Sequence, residues 1–453
     1  MSSERFSRMQ VLRTALVGLS GALVLLISLT AATEELGAVE KQSWTRTSEL
    51  PPQERALIDS RSNTPRNPEI PYLPAEPYPF EPPFTAEELA YRMMNFAHNG
   101  RRPHTLADAF GSMTKSGYLT QGITVVRMAA TSDQGDVPGQ LRTAPGDEFL
   151  RYALYYTYPP GKQHQQLLWV YRRTDQEQST KIDNFWYIPE MRRVRRMPQF
   201  RRDQPLQGNV QTIDDIMGRD AWEFSWRVIG TDVLYETVRF PSTRPELTLA
   251  SGDGRFFDVS TSELRPMGDE YPFYTTDGGV EALVLVGEPR GDWLGSYSDA
   301  KLIFWIDKQY FYPLRMEKYD AEGQLKTVQV TMATQGNPEL GPEGYRSLLT
   351  VYWDARLDLL SYSLHDAYRS VEWSEDEKAV MFSPEFMRRC WLKYAQPTHS
   401  LVDSAKEFYL RPSLDLGKFP EERSIQLTPD IERRIAAQNA AGQLVFAAPD
   451  GAP

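Results

Sequence analysis

Five histidines, His98, His104, His164, His365 and His399, are the first residues to weigh for catalysis or metal binding, and none is spaced to work with another. Two ligands on one helix face require the His-x-x-x-His or His-Glu-x-x-His spacing, which does not occur. His365-Asp366 are adjacent, and neighbours on a strand point to opposite faces, which is poor geometry for a proton relay. Ser112-Met113-Thr114-Lys115 has the spacing in which a lysine one helical turn on activates a serine, but neither Ser-Asp-Asn nor Lys-Thr-Gly follows it. Gly252-Asp253-Gly254 lacks the third glycine and the strand-to-helix setting of a dinucleotide loop, so it reads as a turn. The residues therefore predict no enzyme, no metal and no cofactor.

Two other groupings stand above background. One is a set of rings, Trp169, Trp186, Trp222, Phe224, Trp226, Phe304 and Trp305. Such a set reads either as an ordinary core packed on a helix or as the lining of an apolar cavity for a hydrophobic ligand. The other is the basic run Arg172-Arg173, Lys181, Arg192-Arg193, Arg195-Arg196 and Arg201-Arg202, nine cations against the four acids Asp175, Glu177, Asp183 and Glu190. This run reads either as a solvated strand face or as a site for anionic head groups or an acidic partner, which the planar guanidinium suits. Strand alternation puts Arg193 and Arg195 on one face and Arg192 and Arg196 on the other.

The elements that must position these residues are mostly strands. Phe149 to Tyr158 places Leu150, Tyr152, Leu154 and Tyr156 on one face, and Leu167 to Arg173 continues the two-residue period. Lys181 to Ile188 and Arg192 to Met197 form a hairpin across Pro189-Glu190-Met191. Trp222 to Val228 alternates strictly, one face dry and one wet. Ala282–Val286, Leu302–Ile306, Leu314–Tyr319 and Leu325–Met332 extend the series, with a tight turn at Asp320-Ala321-Glu322-Gly323. No long helices separate the strands, so the sheet is expected to be antiparallel and to curl. Ahead of it, Thr85-Ala86-Glu87-Glu88 is a capping box opening a helix with Leu89, Met93 and Phe96 on one side. A second short helix is expected from Leu106 to Lys115. Ten prolines between Pro51 and Pro83 make an extended lead-in. Beyond Gly341 come further strands such as Leu348 to Trp353, then a helix capped by Thr428.

Arg5, Arg8 and Arg13 precede an apolar run from Ala15 to Leu29 and the small residues Thr30-Ala31-Ala32, the order of a secretory signal. Cleavage after Ala32 is expected, with an uncleaved inner-membrane anchor as the other reading; either places the bulk of the chain in the periplasm. The single cysteine, Cys390, excludes an intramolecular disulfide and an N-terminal lipid anchor at that signal. The net charge of −11 argues against nucleic acid.

The sequence from Leu302 to Asp307, then Tyr312-Pro313-Leu314-Arg315-Met316, then Asp320 and Gly323, resembles the periplasmic lipoprotein-sorting (LolA/LolB-like) carriers. Trp-x-Asp, Pro-hydrophobic-Arg and Asp-x-x-Gly recur in that family in this order. Phe185-Trp186-Tyr187-Ile188-Pro189-Glu190-Met191 and the arginines behind it, with Asp214-Asp215 and Gly218 downstream, resemble a larger uncharacterised group allied to those carriers. The resemblance covers roughly residues 149–332. It implies a mainly β fold with some α: a large curved antiparallel sheet, or half-open β-barrel, wrapped around helices, with an apolar cavity. It also implies a route shared with efflux-type inner-membrane transporters or outer-membrane proteins. The proline-rich lead-in and the C-terminal third are not part of the small carriers.

The expected domains are a signal peptide at 1–32, a lead-in at 33–84, a lipoprotein-sorting-like half-barrel at 85–335 and a C-terminal extension at 336–453. The expected function is a periplasmic carrier for a lipid or lipidated, hydrophobic molecule, with Trp169, Trp186, Trp222, Phe224, Trp226, Phe304 and Met316 lining the cavity. Arg192, Arg193, Arg195 and Arg196 are assigned to a head group or partner. The other reading is an adaptor without cargo that docks on a membrane transporter or outer-membrane protein.

Overall fold

The computed structural model describes residues 44–59, 81–97, 103–114, 117–130, 147–158, 160–162, 164–172, 182–198, 201–206, 208–234, 246–250, 256–260, 279–335, 345–357, 359–370 and 373–388, with a few single positions between them. The signal, Cys390 and the helix expected after Thr428 lie outside these residues. Among the described residues no helix is long and apolar enough to cross a membrane.

Among the described residues fourteen strands make one sheet, antiparallel at every pairing and open at both ends. In chain order these are β1 (Thr45–Arg46), β2 (His104–Thr114), β3 (Gly117–Ala130), β4 (Glu148–Tyr158), β5 (Gln166–Arg172), β6 (Ile182–Ile188), β7 (Arg193–Met197) and β8 (Phe224–Leu234). A separate hairpin pairs β9 (Glu246–Ala250) with β10 (Phe256–Ser260). The sheet resumes with β11 (Val280–Pro289), β12 (Lys301–Asp307), β13 (Pro313–Tyr319), β14 (Leu325–Gln335), β15 (Tyr345–Asp354) and β16 (Leu359–Ser370). Spatially the order is β1-β8-β11-β12-β13-β14-β15-β16-β2-β3-β4-β5-β6-β7. Two meanders, one from each half of the chain, are thus sewn together by the pairing of β16 with β2. Strands β15 and β16, which the sequence places in a C-terminal extension, belong to this same sheet.

The helices are short: α1 (Pro52–Arg55), α2 (Ala86–Tyr91), α3 (Ile213–Met217) and α4 (Glu375–Met381). The capping box of α2 forms as the sequence predicts, with the Thr85 amide donating to Glu88 at 2.8 Å and the Glu88 amide to Thr85 Oγ1 at 3.1 Å. Helix α2 runs on into a wider π-helical stretch, Arg92–Ala97. Leu89, Tyr91, Met93 and Met94 of this unit are buried against one face of β8, β11 and β12. The opposite face of the same strands carries Val284, Ile303 and Trp305, joined by Leu314 of β13, beneath Tyr271 and Tyr274.

The second helix expected at Leu106–Lys115 is instead strand β2. The segment Leu106-Ala107-Asp108-Ala109-Phe110-Gly111 has weak β-propensity, a preference that spans only about 1 kcal/mol and yields to context. Here the context is a ladder on both edges, to β16 and to β3. A helix would leave both partners' backbone groups unpaired in a buried setting. The strand expected at Trp222 begins at Phe224, after a 3-10 turn at Ala221–Glu223, and then alternates as predicted, Ser225 and Arg227 exposed and Trp226 buried.

Candidate functional site

Between the sheet and the chain segment 201–216, which crosses from β7 towards β8, lies a cavity of about 910 Å³. Its apolar wall comes from β2, β4, β5 and β6, through Leu106, Tyr152, Leu154, Leu167, Trp169 and Trp186. Tyr152 and Trp169 stack at 5.3 Å, and Phe110 meets Tyr156 edge-on at 6.1 Å. This face is the one marked out by Leu150, Tyr152, Leu154 and Tyr156 in the sequence. The facing wall, from β14, β15 and β16, is polar and largely uncharged: Gln329, Thr331, Ser347, Thr350 and Ser363. Leu206, Asn209, Gln211 and Ile216 of the crossing segment close the remaining side.

The crossing segment is fixed by a buried charge network. Arg202 donates to Glu223 at 2.5 Å and lies 3.3 Å from Asp214. Asp215 receives Arg219 at 2.8 Å and Lys318 of β13 at 2.6 Å. Burial works against ionisation at Asp215, but Lys318 and Arg219 outweigh it and hold the carboxyl well below its usual range. At Asp214 burial wins, and the carboxyl is raised despite Arg202 and Arg219. The capping box of α3, Thr212 with Asp215, supplies the local geometry.

A second polar group sits where β2 meets β16. Ser363 Oγ donates to Asp108 Oδ1 at 2.7 Å and lies 3.1 Å from His365 Nε2, while His365 Nδ1 is 2.8 Å from Ser347 Oγ. Burial pushes the Asp108 carboxyl up to about 7. Burial, with Asp108 next in effect, also pushes the Tyr156 hydroxyl up to about 12 and raises that of Tyr152. The serine, histidine and aspartate are not arranged for acyl transfer. In that chemistry the acid orients the imidazole and the imidazole takes the serine proton. Here the acid accepts from the serine itself, and a serine faces the other imidazole nitrogen.

The structure divides the sequence-predicted residues. Trp169 and Trp186 line the cavity. Trp222, Phe224, Trp226, Phe304 and Met316 are brought together elsewhere, in the core beneath α2, with Trp222 against Tyr91 at 6.1 Å and Trp226 against Phe304 at 5.8 Å. Trp305 follows Phe304 on one strand and so occupies the opposite face. Arg192, Arg193, Arg195 and Arg196 are exposed on the β6–β7 hairpin and its turn, outside the cavity lining. Arg196 is bound to Asp183, which also holds Arg172 at 3.1 Å. Ser112 is buried on β2 and pairs with Ser361 Oγ at 2.9 Å, which in turn accepts from the Val210 amide at 3.0 Å, a structural clip rather than a nucleophile. Among the described residues no three acidic, histidine or cysteine side chains cluster to hold a metal.

Asp108 and Ser363 went unremarked in the sequence because their proximity is made by a pairing of residues 255 apart in the chain. The one local signal is an acid set between alanines, Ala107-Asp108-Ala109, in a segment that proves to be a central strand.

A comparison with curated proteins gives no match. Among solved structures the chain is similar to a DUF1329 family protein from Desulfovibrio piger, at 11% identity over 66% of this chain and 95% of that one, TM-score 0.44. It is similar also to a domain described as an outer membrane lipoprotein-sorting protein from Vibrio parahaemolyticus, at 13% identity over 67% and 97% of the two chains, TM-score 0.42. A third is a LolA superfamily protein from Nitrosomonas europaea, at 11% identity over 67% and 99%, TM-score 0.36. The resemblance read from the sequence is met by the family comparison: residues 54–255 match the model of DUF1329, a family of proteins of unknown function.

Proposed function

We propose that this protein is a periplasmic carrier that holds a lipid-like, amphiphilic molecule in the cavity between the sheet and the 201–216 segment. The observation that carries the reading is the cavity itself, about 910 Å³, with an aromatic wall facing a polar one. Small-molecule sites are typically about 300–1,000 Å³, mostly apolar with a few placed polar groups. A sixteen-carbon chain buried at about 0.8 kcal/mol per methylene gains about 12 kcal/mol before ordering costs, enough for retention without covalent chemistry. Export through the N-terminal signal would place the cargo's route between membranes, and the arginine hairpin supplies a surface for a membrane or protein partner.

The test is mass spectrometry of an organic extract of the protein, purified gently from the periplasm of its own host. A stoichiometric amphiphile is expected, and it should be lost from the paired variant Leu154→Asn, Trp186→Ser, both half-buried cavity positions. An empty extract from the native protein would sink the carrier reading. It would favour the cargo-free adaptor, for which the exposed Arg192, Arg193 and Arg195 are the supporting observation.

A further inference from the structure

Among the described residues two acids line the cavity, Asp108 and Asp215, and their situations are opposite. Asp215 is answered by Lys318 and Arg219. Asp108 meets neither lysine nor arginine among the described residues: Ser363 donates to Oδ1, His365 Nε2 stands 3.9 Å away, and no described residue donates to Oδ2. A desolvated carboxylate without a cation is costly, and in a cavity it marks a place where a ligand completes the charge balance.

The strand registers show what surrounds it. His365 of β16, Asp108 of β2, Thr124 of β3 and Tyr156 of β4 are direct cross-strand partners in succession, and all four line the cavity. Thr124 is fully buried and its hydroxyl has no hydrogen-bond partner among the described residues. Phe110, two residues along β2 from Asp108, shares its face and packs on Tyr156. A carboxyl, a hydroxyl with no partner among the described residues and two ring faces therefore adjoin along one stretch of the wall. The cations of the lining do not compensate it: Arg201 is bound to Asp203 at 3.0 and 2.7 Å, and Lys162, itself exposed, lies over the Tyr156 ring at 5.6 Å.

We infer that Asp108 is the recognition point for a protonated amine on an otherwise apolar ligand, with Thr124 as a second acceptor and Phe110 and Tyr156 as the ring faces. This deepens the carrier reading and rests on it. An ammonium has three donors and no acceptor, which matches a wall that offers acceptors and π-faces. A phosphate or carboxylate brings only acceptors and like charge to Asp108. The raised carboxyl fits the same picture, because a bound cation would supply the charge whose lack disfavours ionisation.

The experiment is calorimetric titration at pH 8 of the delipidated full chain with dodecylamine, dodecanol and dodecanoate, each below its aggregation threshold. Wild type is expected to bind the amine about tenfold or more tighter than the alcohol, the worth of one charge-assisted hydrogen bond, and dodecanoate weakest. Asp108→Asn, which keeps the acceptor for Ser363, is expected to erase the amine's advantage over the alcohol. Dodecanoate binding as well as the amine, or an amine advantage that survives in Asp108→Asn, overturns the inference while leaving the carrier standing. No binding by any of the three overturns both.

Discussion

A carboxyl held near 7 by its surroundings taxes the folded state whenever it must ionise. In the unfolded chain Asp108 titrates near 3.8, so the stability it contributes is full below that value and is lost as pH rises through about 7. Asp108→Asn cannot ionise and escapes the loss. Its melting temperature is therefore expected to match wild type at pH 4 and exceed it at pH 8, a difference that scanning calorimetry at the two values would show. Asp307 is another buried carboxyl, and its duty is structural. Buried at the end of β12, it accepts from the amides of Gln309, Tyr310 and Tyr312 at 2.9, 2.6 and 2.7 Å and from the Tyr271 hydroxyl at 3.2 Å. It shapes the turn in which Phe311 takes a positive φ of 59°. Asp307→Ala orphans those donors and is expected to cost about 2 kcal/mol or more in urea denaturation. The Trp-x-Asp and Pro-x-Arg signatures that pointed to a family are thus a turn clamp. Trp305 Nε1 donates to Asp232 at 2.9 Å, and the Arg315 guanidinium lies over the Trp305 ring at 5.4 Å. They were legible because Asp307 with the amides of Gln309, Tyr310 and Tyr312, and Arg315 over Trp305, lie within one hairpin, even though Asp232 and Tyr271 join from farther off; Asp108 was not, because nothing within ten residues of it reveals its partners.

Among the elements, hairpins were the easiest to read and crossings the hardest. The β6–β7 hairpin and the β13–β14 turn follow from their residues: in the latter, Gly323 has φ 76° and the Gln324 amide donates to Asp320 Oδ1 at 2.7 Å. The 201–216 segment carries no periodic pattern, yet it forms one side of the cavity, because its position depends on charges buried against distant strands. Those charges define a prediction at this scale. Lys318→Met removes one of the two cations at Asp215, leaving a buried carboxylate under-compensated, for which losses of about 3–5 kcal/mol are typical. Chemical denaturation should register such a loss. A change under about 1 kcal/mol would mean that Arg219 alone suffices and that the segment is held by packing instead. The aromatic strands gave a divided reading for a related reason. Alternation shows that Trp222, Phe224 and Trp226 are on a dry face, but whether a helix or a ligand covers that face depends on α2, more than a hundred residues upstream.

At the scale of the molecule, an open sheet must protect two edges. β1 does so by being only two residues long, and β7 by its arginines, the usual devices against edge-to-edge pairing. On this view Arg193 and Arg195, which lie across from Ile188 and Trp186, keep that edge unpaired. Replacing both with valine is expected to produce concentration-dependent self-association in sedimentation analysis, while the melting temperature at low concentration stays close to wild type. A variant that remains monomeric at high concentration would show that the arginines do not guard this edge.

The seam between β16 and β2 sets the tempo of the molecule's birth. Each meander can assemble from neighbours in sequence, but the two join only when a strand ending at Ser370 finds one beginning at His104. Contacts so distant along the chain slow folding, because the loop between them must be closed before the pairing repays it. Until then β2 and β16 each present a bare, largely uncharged rim to the same crowded compartment in which the arginine-guarded β7 is safe. The half-made protein is therefore stickier than the finished one, and its yield in the cell should depend more on an escort during those moments than on the stability of the final sheet.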